Sequence, residues 1–97
     1  MPRPTPAPQL LAFKALANDA RFRILQTIAA DGREHTCQEL ITTLGITPPA
    51  ASNHLRVLQQ ADLITTQRRG TQIYVSLAPS DLAYQMAAVV RRERTSP

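Results

Sequence analysis

Ser52, Asn53 and Arg56, followed by the pair Arg68 and Arg69, are the residues of this 97-residue chain whose types and spacing point to a chemistry. A hydroxyl, an amide and a guanidinium at helical spacing match the donors and acceptors of base edges and phosphates. The major groove of duplex DNA, about 12 Å wide, admits a helix that carries such groups. A merely solvated helix more usually carries Glu–Lys pairs, and no acid occurs between Thr47 and Ala61. Arg68 and Arg69, read as a hairpin tip, would reach a neighbouring phosphate or the minor groove. The plainer reading is that polar helix faces are commonly only solvated and that paired arginines blunt an exposed hairpin edge. Enzymatic chemistry finds little to work with. Two histidines, three glycines and one cysteine assemble no nucleophilic triad, phosphate-cradling loop or metal triad. Single-stranded nucleic acid would call for exposed stacking aromatics, and the chain has two Phe and two Tyr, of which Phe13 and Phe22 sit in packing patterns.

The composition agrees with an anionic partner. Eleven Lys+Arg against seven Asp+Glu give a net charge of +4, and Lys14 is the single lysine. Arginine presents a planar fork suited to phosphates and base edges. A hydrophobic fraction of 43% suits a globular domain. At this length one core is marginal, and pairing two chains buries more apolar surface. One cysteine excludes an intrachain disulfide and a four-thiolate zinc site. No apolar run approaches the roughly 20 residues of a membrane span, and MPRPTPAPQLLAF is no signal peptide. The expected location is cytoplasmic, with no membrane partner.

The elements that must position these residues follow in order. Residues 1–8, with proline at every second position, form a tail; residues 9–94 form the domain and 95–97 a second tail. From Gln9, Leu10, Leu11, Phe13, Leu16 and Ala17 recur at helical spacing. Asn18-Asp19 caps a second helix with Ala20, Ile24, Leu25 and Ile28 on one face, closed by Asp31-Gly32. Thr36 and Glu39 fit a capping box ahead of Leu40, Ile41 and Leu44, and Gly45 ends this third helix. Thr47-Pro48 opens a fourth, whose buried stripe is Ala51, Leu55 and Leu58. Residues 63–67 and 72–77 are β-branched and partly alternating, with Arg68-Arg69-Gly70-Thr71 between them as a hairpin turn. A last helix carries Leu82, Met86, Val89 and Val90 and ends in Arg91-Arg92-Glu93-Arg94.

This order predicts a mainly α fold, a winged helix-turn-helix of about five helices plus a two-stranded β-hairpin wing. The residues that carry it also resemble the ArsR/SmtB family of winged-helix transcriptional regulators. Residues 13–25, FKALANDARFRIL, are similar to the family's opening signature ALA(D/N)xxRxxIL. Thr47 through Leu58 resembles its recognition helix, SQxxVSxHLxxL, with Ser52, His54 and Leu55 identical. Residues 61–64 and 68–74 resemble the run into the wing. The likeness covers roughly residues 10 to 82.

The resemblance implies a homodimer joined through the first and last helices, here by Leu10, Leu11, Phe13, Leu82, Met86, Val89 and Val90. Its two recognition helices would meet half-sites about one DNA turn apart, so the partner is double-stranded operator DNA with a palindromic site. The implied role is a repressor released by an unidentified signal. Thr47, Pro48, Pro49, Ser52, Asn53, His54 and Arg56 fall on the DNA-facing segment. Pro48 stands where the family has glutamine, so with Pro49 it offers shape and apolar contact or simply stiffens the helix start. His54 either touches a phosphate or packs between helix and hairpin. Thr36 and Gln38 occupy the family's two cysteine places, and the last helix, with Asp81, has no histidine, so no metal site and no cofactor are expected. Cys37 at a helix start is an oxidation sensor if the helix dipole favours its thiolate, and otherwise a small buried hydrophobe. A winged helix used only for protein–protein contact is the competing function.

Overall fold

The computed structural model describes residues 7–92, so the proline-rich segment 1–6, Arg94 and the 95–97 tail lie outside the described residues. Five helices form: α1 (Pro8–Leu16), α2 (Asp19–Asp31), α3 (Cys37–Leu44), α4 (Pro48–Gln60) and α5 (Asp81–Arg92). Three strands accompany them: β1 (His35–Thr36), β2 (Ile64–Arg69) and β3 (Gln72–Leu77). Helix α1 begins at Pro8, one residue before the expected start, because proline needs no amide partner at the first helical turn.

Side-chain caps set the other helix starts. Asn18 Oδ1 accepts the Arg21 amide at 3.1 Å, Thr36 Oγ1 the Glu39 amide at 3.0 Å and Thr47 Oγ1 the Ala50 amide at 3.3 Å. Ser80 Oγ does the same for α5 through the Ala83 amide at 3.1 Å. The capping box at α3 is half made. The Glu39 carboxylate turns to His35 Nδ1 at 3.2 Å instead of reaching back to the cap. Gly45 ends α3 at φ +65°, a left-handed conformation that turns the chain within three residues into α4.

The wing is larger than a hairpin. Strand β3 lies between β2 and β1, all antiparallel, with His35 opposite Val75 and Thr36 opposite Tyr74. Two residues are too few to show a period, so β1 has no signature in the sequence. Arg68 and Arg69 are also not the turn: they close β2, Arg69 pairs with Gln72, and Gly70-Thr71 makes the tip.

Helix α2 is the hub, touching α1, α3, α4, α5 and β3. Ile24, Leu25 and Ile28 on α2 are fully buried with Leu40, Leu58, Leu63, Ile64, Val75 and Val90. On α5 the inward stripe is Ala83, Met86, Ala87 and Val90, spaced i, i+3, i+4, i+7. Met86 and Val90 therefore serve the protomer's own core and are not the outward contacts expected of them. Leu82 is half-buried against the core. The large apolar side chains left exposed are Leu10, Leu11 and Phe13 on α1 and Tyr84 and Val89 on α5. No described helix is long and apolar enough to cross a membrane.

Candidate nucleic-acid interface

Helix α4 turns Ala51, Leu55 and Leu58 inward, which leaves Ser52, Asn53, Arg56, Gln59 and Gln60 exposed on the opposite side. Thr47, Pro48 and Pro49 are exposed at its start. With two prolines after the cap, the first turn of α4 lacks two amide donors, and the capping hydroxyl of Thr47 is already engaged by Ala50. Side-chain hydrogen-bonding groups on the exposed face are therefore the remaining O–H of Thr47 at the cap and those from Ser52 onward. Arg56 donates through NH2 to Asn53 Oδ1 at 2.6 Å. That bond holds the guanidinium along the exposed face and, by engaging Oδ1, leaves the Asn53 amide hydrogens available to an acceptor.

Strand β2 runs beside α4, and Thr66 Oγ1 donates to Gln59 Oε1 at 3.4 Å. The two wing arginines have different surroundings. Arg68 is exposed and has no ion pair among the described residues. Arg69 makes a forked contact with Glu34, NH1 to Oε1 at 2.6 Å and NH2 to Oε2 at 3.1 Å, and donates to Gln67 Oε1 at 2.8 Å. Its guanidinium carbon lies 4.4 Å from the Tyr74 ring centroid. Hydrogen bonding to Glu34 raises the Arg69 pKa further, so its charge is fixed and locally matched. Arg69 therefore holds the wing to the segment before β1. The pairing of Glu34 with Arg69 has no sequence signal, since the two are far apart along the chain.

His54 is half-buried and turned inward: its Nδ1 lies 3.3 Å from Arg21 NH1. Burial, and then the Arg21 charge, lower its pKa from the ordinary 6.5. Of the two roles left open for it, the structure favours packing, although the neighbour is α2 and not the hairpin. Nothing in the sequence singles out Arg21 for this contact, although it is the first of the two arginines in the FKALANDARFRIL segment and stands at the Arg of the signature.

Cys37 is the first residue of α3 and packs partly against the core. Burial pushes its thiol pKa up, opposite to the lowered value that the sensor reading calls for. Its neighbour His35 is held between Asp31 Oδ1, 3.0 Å from Nε2, and Glu39 Oε2, 3.2 Å from Nδ1. The backbone N–H of Arg33 and then His35 keep the Asp31 carboxyl below its usual range. This clamp ties the end of α2 to the start of α3. No group of three or more His, Cys, Asp or Glu side chains among the described residues is arranged to hold a metal ion.

Residues 16–67, from the end of α1 into β2, match the family described as "Helix-turn-helix domain". The arsenic resistance transcriptional regulator ArsR1 of Pseudomonas putida is 36% identical over 69 residues, which are 71% of this chain and 53% of that protein. The chain thus spans about half of that relative's length. The transcriptional repressor SdpR of Bacillus subtilis is 35% identical over 65 residues, 67% of this chain and 70% of that protein. Among solved structures, the homodimeric winged helix-turn-helix DNA-binding domain Mb0332 from Mycobacterium bovis superposes with a TM-score of 0.74. It is 32% identical, over 84% of this chain and 74% of that one. The arrangement of helices and wing superposes on that of the Mb0332 domain, and the chain belongs to the ArsR family of winged helix-turn-helix transcriptional regulators.

Proposed function

We propose that the chain is a homodimeric, sequence-specific repressor that binds a palindromic operator in double-stranded DNA within the cytoplasm and is released by a signal other than thiolate-bound metal. The single observation that carries this reading is the exposed, acid-free face of α4, where Ser52, Asn53 and the oriented Arg56 stand together beside β2. Base edges ask for that combination of donors and acceptors. Arg68 supplies the phosphate contact that sets register, and Pro48 and Pro49 offer apolar contact at the groove edge. The described residues that could dimerise are Leu10, Leu11 and Phe13 on α1 with Leu82 and Val89 on α5, joined by Tyr84. Cys37 takes no part in release.

The test is a duplex selected from a random-sequence library, compared with a scrambled duplex across salt concentrations. Arg56 and Arg68 bring two cations per protomer, about four per dimer, into the phosphate field. Four neutralised phosphates give a log–log slope of about −3.6, or an affinity loss of about 100-fold between 50 and 200 mM salt. Failure to select any duplex over random sequence, or a salt-independent affinity, overturns the reading.

A further inference from the structure

We infer that Arg21 is a positioning residue that locks the readout helix α4 to the end of α1, with His54 as its neutral hydrogen-bond acceptor. The inference rests on the reading of α4 as the DNA-facing helix. Arg21 lies in the first turn of α2, and its Nε donates to the Ala15 carbonyl at 2.5 Å. Ala15 is in the last turn of α1, where a helix leaves its carbonyls without internal partners. The same guanidinium points NH1 at His54 Nδ1 on α4. One rigid fork therefore bridges the helix that carries Leu10, Leu11 and Phe13 and the helix that carries Ser52, Asn53 and Arg56.

The chemistry of the bridge is one-sided. A guanidinium has donors only, so the ring nitrogen facing it must present a lone pair, and the His54 proton must sit on Nε2. An imidazolium has no lone pair to offer. Protonation of His54 turns the 3.3 Å hydrogen bond into a contact between two cations. Among the described residues no carboxylate forms an ion pair with Arg21 or His54: Asp19 faces Arg23, Glu34 holds Arg69, and Asp31 and Glu39 hold His35. Lys14, from α1, lines the groove against Val57 and Gln60 of α4. The lowered pKa of His54 is what such a site produces. The bond is intact at neutral pH and opens as the pH falls below the ordinary histidine value of 6.5. Acidification then removes the polar joint between α4 and the α1–α2 corner, leaving α4 held there by apolar packing alone, and loosens its presentation to DNA.

The sign of the effect separates this reading from simple electrostatics. A histidine that touched a phosphate would strengthen DNA binding on protonation. The joint predicts weaker binding of the selected duplex, by about 10-fold from pH 7.5 to 5.5, the loss of one hydrogen bond to a charged donor. His54→Gln keeps an acceptor and cannot titrate, so its affinity stays flat over the same range. Nitrogen-15 chemical shifts of the His54 ring decide the bridge without any DNA. They should report the Nε2–H tautomer and a midpoint below 6.5 that rises in Arg21→Gln. An Nδ1–H tautomer, or a midpoint that Arg21→Gln leaves in place, overturns the inference; so does a wild-type affinity that is flat or rises on acidification. If Arg21→Gln fails to fold, the wild-type tautomer and the His54→Gln profile still decide. If no duplex is selected at all, the repressor reading fails while the ring shifts still judge the bridge.

Discussion

Phe13→Ala should weaken dimerisation without unfolding the protomer, and the size of the effect follows from its exposure. A Phe side chain presents about 200 Å² when fully exposed. At 54% exposure, about 110 Å² of Phe13 faces water in the isolated protomer. Covering that area is worth about 2.7 kcal/mol at 25 cal/mol per Å². A two-fold interface supplies it from both chains, while association entropy and imperfect packing erode the sum. Taking one chain's share as the floor, the dimer dissociation constant should rise about 100-fold. Sedimentation velocity over a concentration series reads this directly, with circular dichroism as the check on folding. Met86→Ala is the contrasting variant. Met86 is 6% exposed in the protomer's own core, so it should cost about 2–5 kcal/mol in urea unfolding and move dimerisation only secondarily. Equal dissociation constants for wild type and Phe13→Ala, or a wild type that stays monomeric at 100-fold higher concentration than the duplex-binding midpoint, would refute the assignment of α1 to the interface.

Two further predictions concern readout and the turn. Arg56→Ala should cut the ratio of selected to scrambled duplex affinity by about 10-fold or more, the worth of one good base contact. Arg68→Ala should weaken both duplexes alike and reduce the salt slope by about 1.8, two phosphates per dimer; indistinguishable behaviour of the two variants sinks the division of labour. Gly45→Ala should lower the melting temperature. Nothing lies within 4 Å of a Cβ at Gly45, so the cost is the left-handed backbone at φ +65° and not a clash. That cost is about 1–2 kcal/mol, or roughly 4–8 °C per kcal/mol in a domain of this size, and an unchanged melting curve refutes it.

The helices of this fold were legible because each has a local punctuation mark. Asn18, Thr36 and Thr47 cap where side-chain chemistry says they should, and Gly32 and Gly45 stop helices at positive φ. The outward face of α4 was legible for the same reason: its stripe repeats cleanly over thirteen residues. What escaped depends on contacts distant in sequence. Strand β1 exists only because β3 presents an edge to it. The Glu34–Arg69 pair and the Arg21–His54 bond join residues 35 and 33 positions apart. On α5, Leu82, Met86, Val89 and Val90 share one arc of about 100°, so their spacing could not say which of them the protomer's own core would take. Helix α2 decides it, by covering Met86 and Val90 and leaving Val89 outside.

A net charge of +4 also conceals how little of the positive charge stands ready for DNA. Arg23 faces Asp19, Arg69 is matched by Glu34, and Arg21 is committed to Ala15 and His54 inside the fold. On α4 and the wing, Arg56 and Arg68 are the cations left without an acid among the described residues. Sequence-independent attraction is therefore modest for each protomer, since it grows with the number of phosphates neutralised. Two consequences follow from that shortage. Discrimination then has to come from directional hydrogen bonds, those of Ser52 and Asn53 beside the base contact assigned to the oriented Arg56, and not from bulk charge. In the proposed dimer, affinity has to come from using two α4 helices at once, which makes their relative placement decisive. A bridge from α1 through Arg21 to His54 is where such placement can be set, because it connects the apolar helix of the proposed dimer contact to the proposed readout helix.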